Sequence, residues 1–201
     1  MRCFVVIGHR VVTAPDFNLN DLAGSTGRLD VLLRCVNSAL LLSHGVRRDT
    51  TIHLVLLGPP APPKTISING REVKYLNPDE RSTGALIRNA LIKWRGECVD
   101  ATPGIRISSM GLEDVLRSCA EKTDIIYLRE DGEDIRGKRL PKDCTFVLGD
   151  DRDLTSAEEE TVMRFNPAIL SLGPYSLHTH HCITLVHNEI DRQEKINSMR
   201  A

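Results

Sequence analysis

Short apolar runs of strand length alternate with longer segments of helical period along most of this chain. That alternation restricts it to an α/β fold with a mainly parallel sheet flanked by helices. RCFVVIGH at 2–9 reads as a buried strand. From Arg28 to Ser43 a helix is expected, with Leu29, Leu32, Leu33, Val36, Ala39 and Leu40 on one stripe. TIHLVLLG at 51–58 is a second strand, stopped by Gly58 and the proline-rich GPPAPP. TISI and REVKYL flank Asn69-Gly70, a dipeptide that between two strand-like runs predicts a small β-hairpin excursion. Helices follow at about 84–94 and 111–122, separated by a loop at Thr102-Pro103-Gly104. DIIYLR at 124–129 and CTFVLGD at 144–150 read as strands joined through an acidic turn, EDGED. Thr155 and Glu158 make a capping box for a helix reaching about Arg164. AILSL at 168–172 is the last strand, and a helix runs from about His178 to Arg192. No composition break or long linker divides residues 1–201, so a single domain is expected.

Composition excludes several classes. Aromatic residues are only 4% of the chain, too few for a base-stacking platform. The net charge of −1 names no partner, but its distribution is uneven. Arg10, Arg28, Arg34, Arg47 and Arg48 concentrate positive charge in the first quarter, where phosphate contacts and a solvated helix face are both open readings. The six cysteines include no C-x-x-C pair and lie mostly in apolar segments. Free thiols packed as small hydrophobes suit a reducing compartment. No signal peptide is visible, and no apolar run approaches the roughly 20 residues that span a bilayer. A cytoplasmic protein without membrane attachment is expected.

The common catalytic signatures are missing: no G-x-G-x-x-G, Walker A, G-x-S-x-G or H-E-x-x-H occurs. His178 and Cys182 would lie one helical turn apart, but no carboxylate or second thiol accompanies them at ligand spacing, so no metal is expected there. DLAGSTGRLD at 21–30 is a polar, glycine-containing loop entering a helix, open to phosphate binding or to plain turn and cap formation. Asp150, Asp151 and Asp153 read as a solvated turn before a capped helix, or as a cation site.

The run LSLGPYSLHTHHCITLVHNEID at 170–191 carries the strongest functional signal. A strand ends in Gly-Pro, turns, and enters a helix. Gly173 permits angles that residues with a Cβ resist, and Pro174 removes an N–H. Such a bend leaves backbone groups facing a ligand. With the ends of the strands at 124–129 and 144–148 it suggests a site at the carboxyl edge of a sheet.

Taken with DLAGSTGRLDVLLRCVNSALLLSHGVRRD at 21–49, NPDER at 77–81 and ATPGI at 101–105, this run closely resembles the archaeal tRNA pseudouridine-54 N1-methyltransferase family of the SPOUT class. The resemblance covers essentially the whole chain. It implies a SPOUT α/β knot, with a deep trefoil knot over about 124–192, although knots are otherwise almost absent from proteins. It implies S-adenosylmethionine held by Leu128, Gly149, Leu172, Gly173, Pro174, Tyr175, Ser176, Leu177 and Cys182, in a homodimer. The implied reaction is methyl transfer to N1 of pseudouridine 54 in the T-arm of tRNA. N1 must lose a proton, for which Asp21 is the first candidate and Asp30 the second. Cys182 is expected to shape the cofactor pocket, since N-methylation needs no covalent activation of the ring. Two rivals stay open: a methyltransferase of the same class acting on ribosomal RNA pseudouridine, and a non-catalytic knotted RNA-binding or assembly protein.

Overall fold

The computed structural model describes the backbone of residues 1–200 and the side chains of residues 1–195. The elements run β1 (Arg2–Gly8), α1 (Leu22–Ser25), α2 (Leu29–Leu40), β2 (Leu41–Leu42), β3 (Gly45–Val46), β4 (Thr50–Leu56), β5 (Lys64–Asn69) and α3 (Glu80–Lys93). They continue with β6 (Val99–Thr102), β7 (Ile105–Ser108), α4 (Leu112–Ala120), β8 (Asp124–Asp134), a 3-10 turn (Ile135–Gly137), β9 (Cys144–Leu148), α5 (Ser156–Met163), β10 (Ala168–Ser171) and α6 (Thr179–Arg200).

One eight-stranded sheet organises these elements in the order β10-β8-β9-β1-β4-β5-β7-β6. The strands from β10 to β4 are mutually parallel, and β5, β7 and β6 extend the sheet antiparallel. β1 is central and every residue in it is buried. Its side chains alternate between two cores, as the period-2 pleat requires. Phe4 and Val6 join the core beneath α2, α3 and α6, while Cys3, Val5 and Ile7 join the core beneath α4 and α5. Helix α2 turns Leu29, Leu32, Leu33, Val36, Ala39 and Leu40 inward, the stripe read from its spacing. Thr155 accepts from the Glu158 N–H while the Glu158 carboxylate accepts from the Thr155 N–H at 2.8 Å, closing the expected capping box of α5. Among the described residues no helix is long and apolar enough to cross a membrane.

The hairpin at Asn69-Gly70 does not form. TISI belongs to β5, which pairs with β4 on one side and β7 on the other, and residues 71–76 form no strand. Asn69 does turn the chain, accepting from the Arg71 N–H through its side chain and from the Glu72 and Val73 N–H groups through its carbonyl. Gly70 serves close approach instead: a Cβ there would lie 2.0 Å from the Arg47 carbonyl oxygen. Val73 is buried and draws the following segment onto the core rather than out along a second strand. The tight hairpin of the sheet is β6–β7, turning at Gly104 with φ +76°. The loop expected at 102–104 is therefore the hairpin turn.

Candidate active site

The expected acidic turn at 130–134 is instead part of β8, whose pairing with β10 jumps from Tyr127 to Glu133. Where β8 breaks from the sheet, beside the carboxyl ends of β9 and β10, opens a cleft of about 830 Å³. Leu128, Gly149, Ser176, Leu177 and Cys182 line it. A smaller recess continues along Leu128, Leu172, Gly173, Tyr175, Leu177 and Cys182. Of the nine residues expected to hold a cofactor, only Pro174 lines neither space; it is exposed on the bend.

Local structure explains why these residues meet. Gly149 lets β9 turn away tightly, since a Cβ there would lie 2.1 Å from the Arg152 carbonyl oxygen. Gly173 takes φ +146°, a region that side-chain-bearing residues rarely adopt, yet a Cβ there would meet nothing within 4 Å. Ser171 holds the bend by accepting from the Gly173 N–H at 3.2 Å and donating to its carbonyl at 3.1 Å. Thr179, the first residue of α6, donates toward the Gly149 and Asp150 carbonyl oxygens at 2.9 and 2.6 Å. That bond ties the last helix to the lip of β9. Cys182 is half-buried and its thiol is pushed up to about 11 by burial, so it is no thiolate near neutrality.

One wall of the cleft is acidic. Glu130, Asp131, Asp150, Asp151, Asp153 and Glu159 line it with only Arg129 and Arg152 opposing. Arg129 is engaged by Asp131 at 2.6 and 2.8 Å, and Tyr127 donates to Glu159 at 2.8 Å. Asp150, expected in a solvated turn or a cation site, is buried. It accepts from the His9 main-chain N–H and from His9 Nδ1, each at 2.8 Å, and from the Arg152 N–H at 3.1 Å. His9 Nε2 lies 3.1 Å from Glu158. Burial would raise the Asp150 carboxyl, but the His9 hydrogen bond and charge hold it below its ordinary range. The same bond raises His9 against its own desolvation. No sequence signal joins residues 9 and 150; only the parallel β1–β9 pairing brings them together.

The two candidate bases differ in circumstance. Asp21 is exposed, caps α1 by accepting from the Gly24 N–H at 2.9 Å, and does not line the cleft. Its loop packs on the segment after β1, where Val12 donates to the Thr26 carbonyl at 3.1 Å, so it sits at the cleft end of the sheet. Asp30 is buried, with Arg28 at 3.0 and 3.2 Å and Arg34 at 2.7 Å. Burial would raise it, but hydrogen bonds from both arginines carry it below the ordinary carboxylate range, which suits an anchor better than a base.

The five arginines do not form one patch. Arg10, Arg28 and Arg34 gather at the cleft end, the first two meeting Asp151 at 3.1 and 3.5 Å. Arg47 and Arg48 precede β4, at the amino end of the strands. Arg47 binds Asp191 of α6 at 2.7 Å, beside Arg2, which meets the same carboxylate at 2.6 Å. Arg48 donates to the Gly70 carbonyl at 2.9 Å. His178, His180 and His181 cluster ring against ring, the first stacked on the second and edge-on to the third, with the His180 and His181 ring centroids 4.1 Å apart.

A parallel sheet with a bend-lined cleft at its carboxyl edge is the architecture of a ligand-binding α/β enzyme. A family model described as "Putative SAM-dependent RNA methyltransferase" matches residues 1–195. The tRNA (pseudouridine(54)-N(1))-methyltransferase of Methanosarcina acetivorans is 52% identical over 196 residues, spanning 96% of this chain and 92% of that protein. The protein of the same name from Haloferax volcanii is 44% identical over 196 residues, spanning 95% and 96%. This chain belongs to the tRNA (pseudouridine(54)-N(1))-methyltransferase family. The crystal structure of Archaeoglobus fulgidus Nep1 bound to S-adenosylhomocysteine shares its fold, with a TM-score of 0.70 at 17% identity over 96% of this chain and 99% of that one.

Proposed function

We propose that this protein transfers the methyl group of S-adenosylmethionine to N1 of pseudouridine 54 in the T-arm of tRNA, giving N1-methylpseudouridine. The observation that carries the reading is the cleft at the carboxyl edge of the sheet, in a chain about half identical to proteins of that name. The cleft suits the cofactor chemically. Its acidic wall complements a sulfonium and an ammonium group, Leu128, Leu172 and Leu177 offer apolar cover to an adenine, and the bend at 172–177 offers main-chain groups to the adenine edge. Leu128, Gly149, Leu172, Gly173, Tyr175, Ser176, Leu177 and Cys182 would hold it, with Pro174 shaping the bend. When bound, the cofactor supplies an electrophilic methyl, so the protein's task is alignment and exclusion of water.

Asp21 is the proposed acceptor of the N1 proton, because its carboxylate is exposed at the cleft end and Asp30 is committed to two arginines. Arg10, Arg28 and Arg34 are the proposed phosphate contacts, with Arg47 and Arg48 given over to holding the fold. The proposed form is a homodimer in the cytoplasm. Exposed Tyr175 and Leu177 at the cleft, with exposed Leu185 on α6, support a partner surface, and six free cysteines suit a reducing compartment. The segment about 124–192 is the proposed knot. In support, Gln193 of α6 donates to the Lys138 carbonyl at 2.8 Å and accepts from the Leu140 N–H at 3.0 Å, so the loop between β8 and β9 grips the final helix.

The test is mass spectrometry of nucleosides from RNA incubated with protein and S-adenosylmethionine. A T-arm carrying pseudouridine at 54 is expected to gain one methyl, while the same arm with uridine stays unmodified. Methylation of a ribosomal RNA fragment in preference to the T-arm would move the substrate to the rRNA rival. Cofactor binding without methylation of either RNA would leave a non-catalytic RNA-binding protein.

A further inference from the structure

On the sheet face opposite α6, beneath α4, three potential metal ligands converge from distant parts of the chain. Cys3 lies on β1, His53 on β4 and Cys119 on α4, and their ligand atoms all lie within 4.8 Å of one another. Among the described residues no other group of three or more such side chains is this close. Both thiols are buried, with exposures of 2% and 7%, and neither is in a disulfide.

We propose that Cys3, His53 and Cys119 form a binding site for Zn²⁺. The sulfur geometry is the main argument. The two sulfurs are 3.8 Å apart. Two thiolates about 2.3 Å from one zinc and at the tetrahedral angle stand about 3.8 Å apart, whereas a disulfide requires about 2.0 Å. His53 is oriented for the task. Its Nδ1 pairs with Ser67 at 2.7 Å, which fixes the ring and leaves Nε2 for an ion, the outer-shell arrangement common at metal-bound histidines. Charge also balances, since two thiolates neutralise one divalent cation at a buried site. A fourth ligand would come from solvent, since His53 is only half-buried. On binding, each thiol still protonated gives its proton to solvent as its sulfur–metal bond forms. The bland alternative is a thiol pair sharing a weak S–H···S bond within the core.

The site is remote from the cleft. Cys3 is the second residue of β1, and the cleft lies past the far end of that strand at His9, about 20 Å away at a strand rise of about 3.3 Å per residue. An ion here would clamp α4 to the two central strands. The experiment strips purified protein with a chelator under reducing conditions, then titrates it with Co²⁺ and afterwards Zn²⁺. The expected result is a thiolate-to-cobalt charge-transfer band saturating at one equivalent and displaced by Zn²⁺, with a thermal midpoint raised by zinc. Cys119→Ser and His53→Gln, each confirmed folded by circular dichroism, should weaken zinc binding by at least about tenfold. A folded wild type that gives no cobalt band and retains no zinc overturns the site. So does undiminished binding in both variants, which would place the ion elsewhere.

Discussion

At the scale of single residues, the two glycines at the cleft are needed for different reasons. A side chain at Gly149 drives into the Arg152 carbonyl, so the backbone beneath the cofactor must move. Gly149→Val is expected to weaken S-adenosylmethionine binding by about 100-fold or more, the scale of a displaced binding surface. At Gly173 the space is open and only the φ of +146° resists, which costs of order 1–3 kcal/mol. Gly173→Ala should therefore lose less affinity than Gly149→Val by calorimetry, and the reverse order would contradict this geometry. Asp21→Asn keeps the cap, because asparagine caps helices as well as aspartate. Turnover should nonetheless fall by about 100-fold in single-turnover kinetics, with tRNA and cofactor binding little changed. The His9–Asp150 pair makes stability pH-dependent. The raised pKa of His9 gives stability that is complete below the ordinary imidazole value and is lost as pH climbs through the raised one. The depressed pKa of Asp150 gives stability present above the ordinary carboxylate value and lost as pH falls through the depressed one. The melting difference between wild type and Asp150→Asn should be widest between about pH 4 and about pH 6.5 and shrink on the alkaline side. A difference that grows with alkalinity would rule the pair out as its source.

At the scale of elements, β5 shows what local signals can and cannot say. Its two flanking motifs, the prolines before it and Asn69-Gly70 after it, suggest an isolated excursion. Yet Ile66 and Ile68 are fully buried and the strand is paired on both edges. Ile66→Ala should cost about 2–5 kcal/mol in urea unfolding, the range for core truncation, rather than the few tenths expected of a surface ribbon. The longer helices and most parallel strands were legible because apolar period and capping are local, while the four-residue α1, read as a loop, is too short to show a period. The direction of β5 was not, because antiparallel addition depends on which edge of the sheet is free. Two strand ends of the cleft were legible from the bends at Gly149 and Gly173, but the strand expected to end at 129 runs on to Asp134, because its pairing with β10 resumes at Glu133. The His9–Asp150 bond and the Cys3–His53–Cys119 cluster were not, since each depends on register between strands far apart in sequence.

At the scale of the whole molecule, the arginines divide between the two ends of the sheet. Replacing Arg10, Arg28 and Arg34 should weaken tRNA binding and flatten its salt dependence by roughly one unit of slope for each phosphate no longer neutralised. Arg48→Ala should leave that slope unchanged. Arg47→Ala should lower the melting temperature instead, because it leaves Asp191 with one guanidinium fewer where β3 and β4 meet α6. Loss of salt dependence in Arg48→Ala with full slope in the triple variant would reverse the assignment of the two ends.

The central position of β1 has a consequence for synthesis. Its partner β4 follows within about fifty residues, but β9, on its other edge, emerges from the ribosome only after residue 144. During translation one edge of β1 and the base of the cleft therefore lie open, and the half running from β1 to β7 is complete first. The ligand-binding edge is assembled last of these elements, from residue 124 onward. Chains stalled before β9 should bind holdase chaperones through that open edge and release them once residues 144–195 are out.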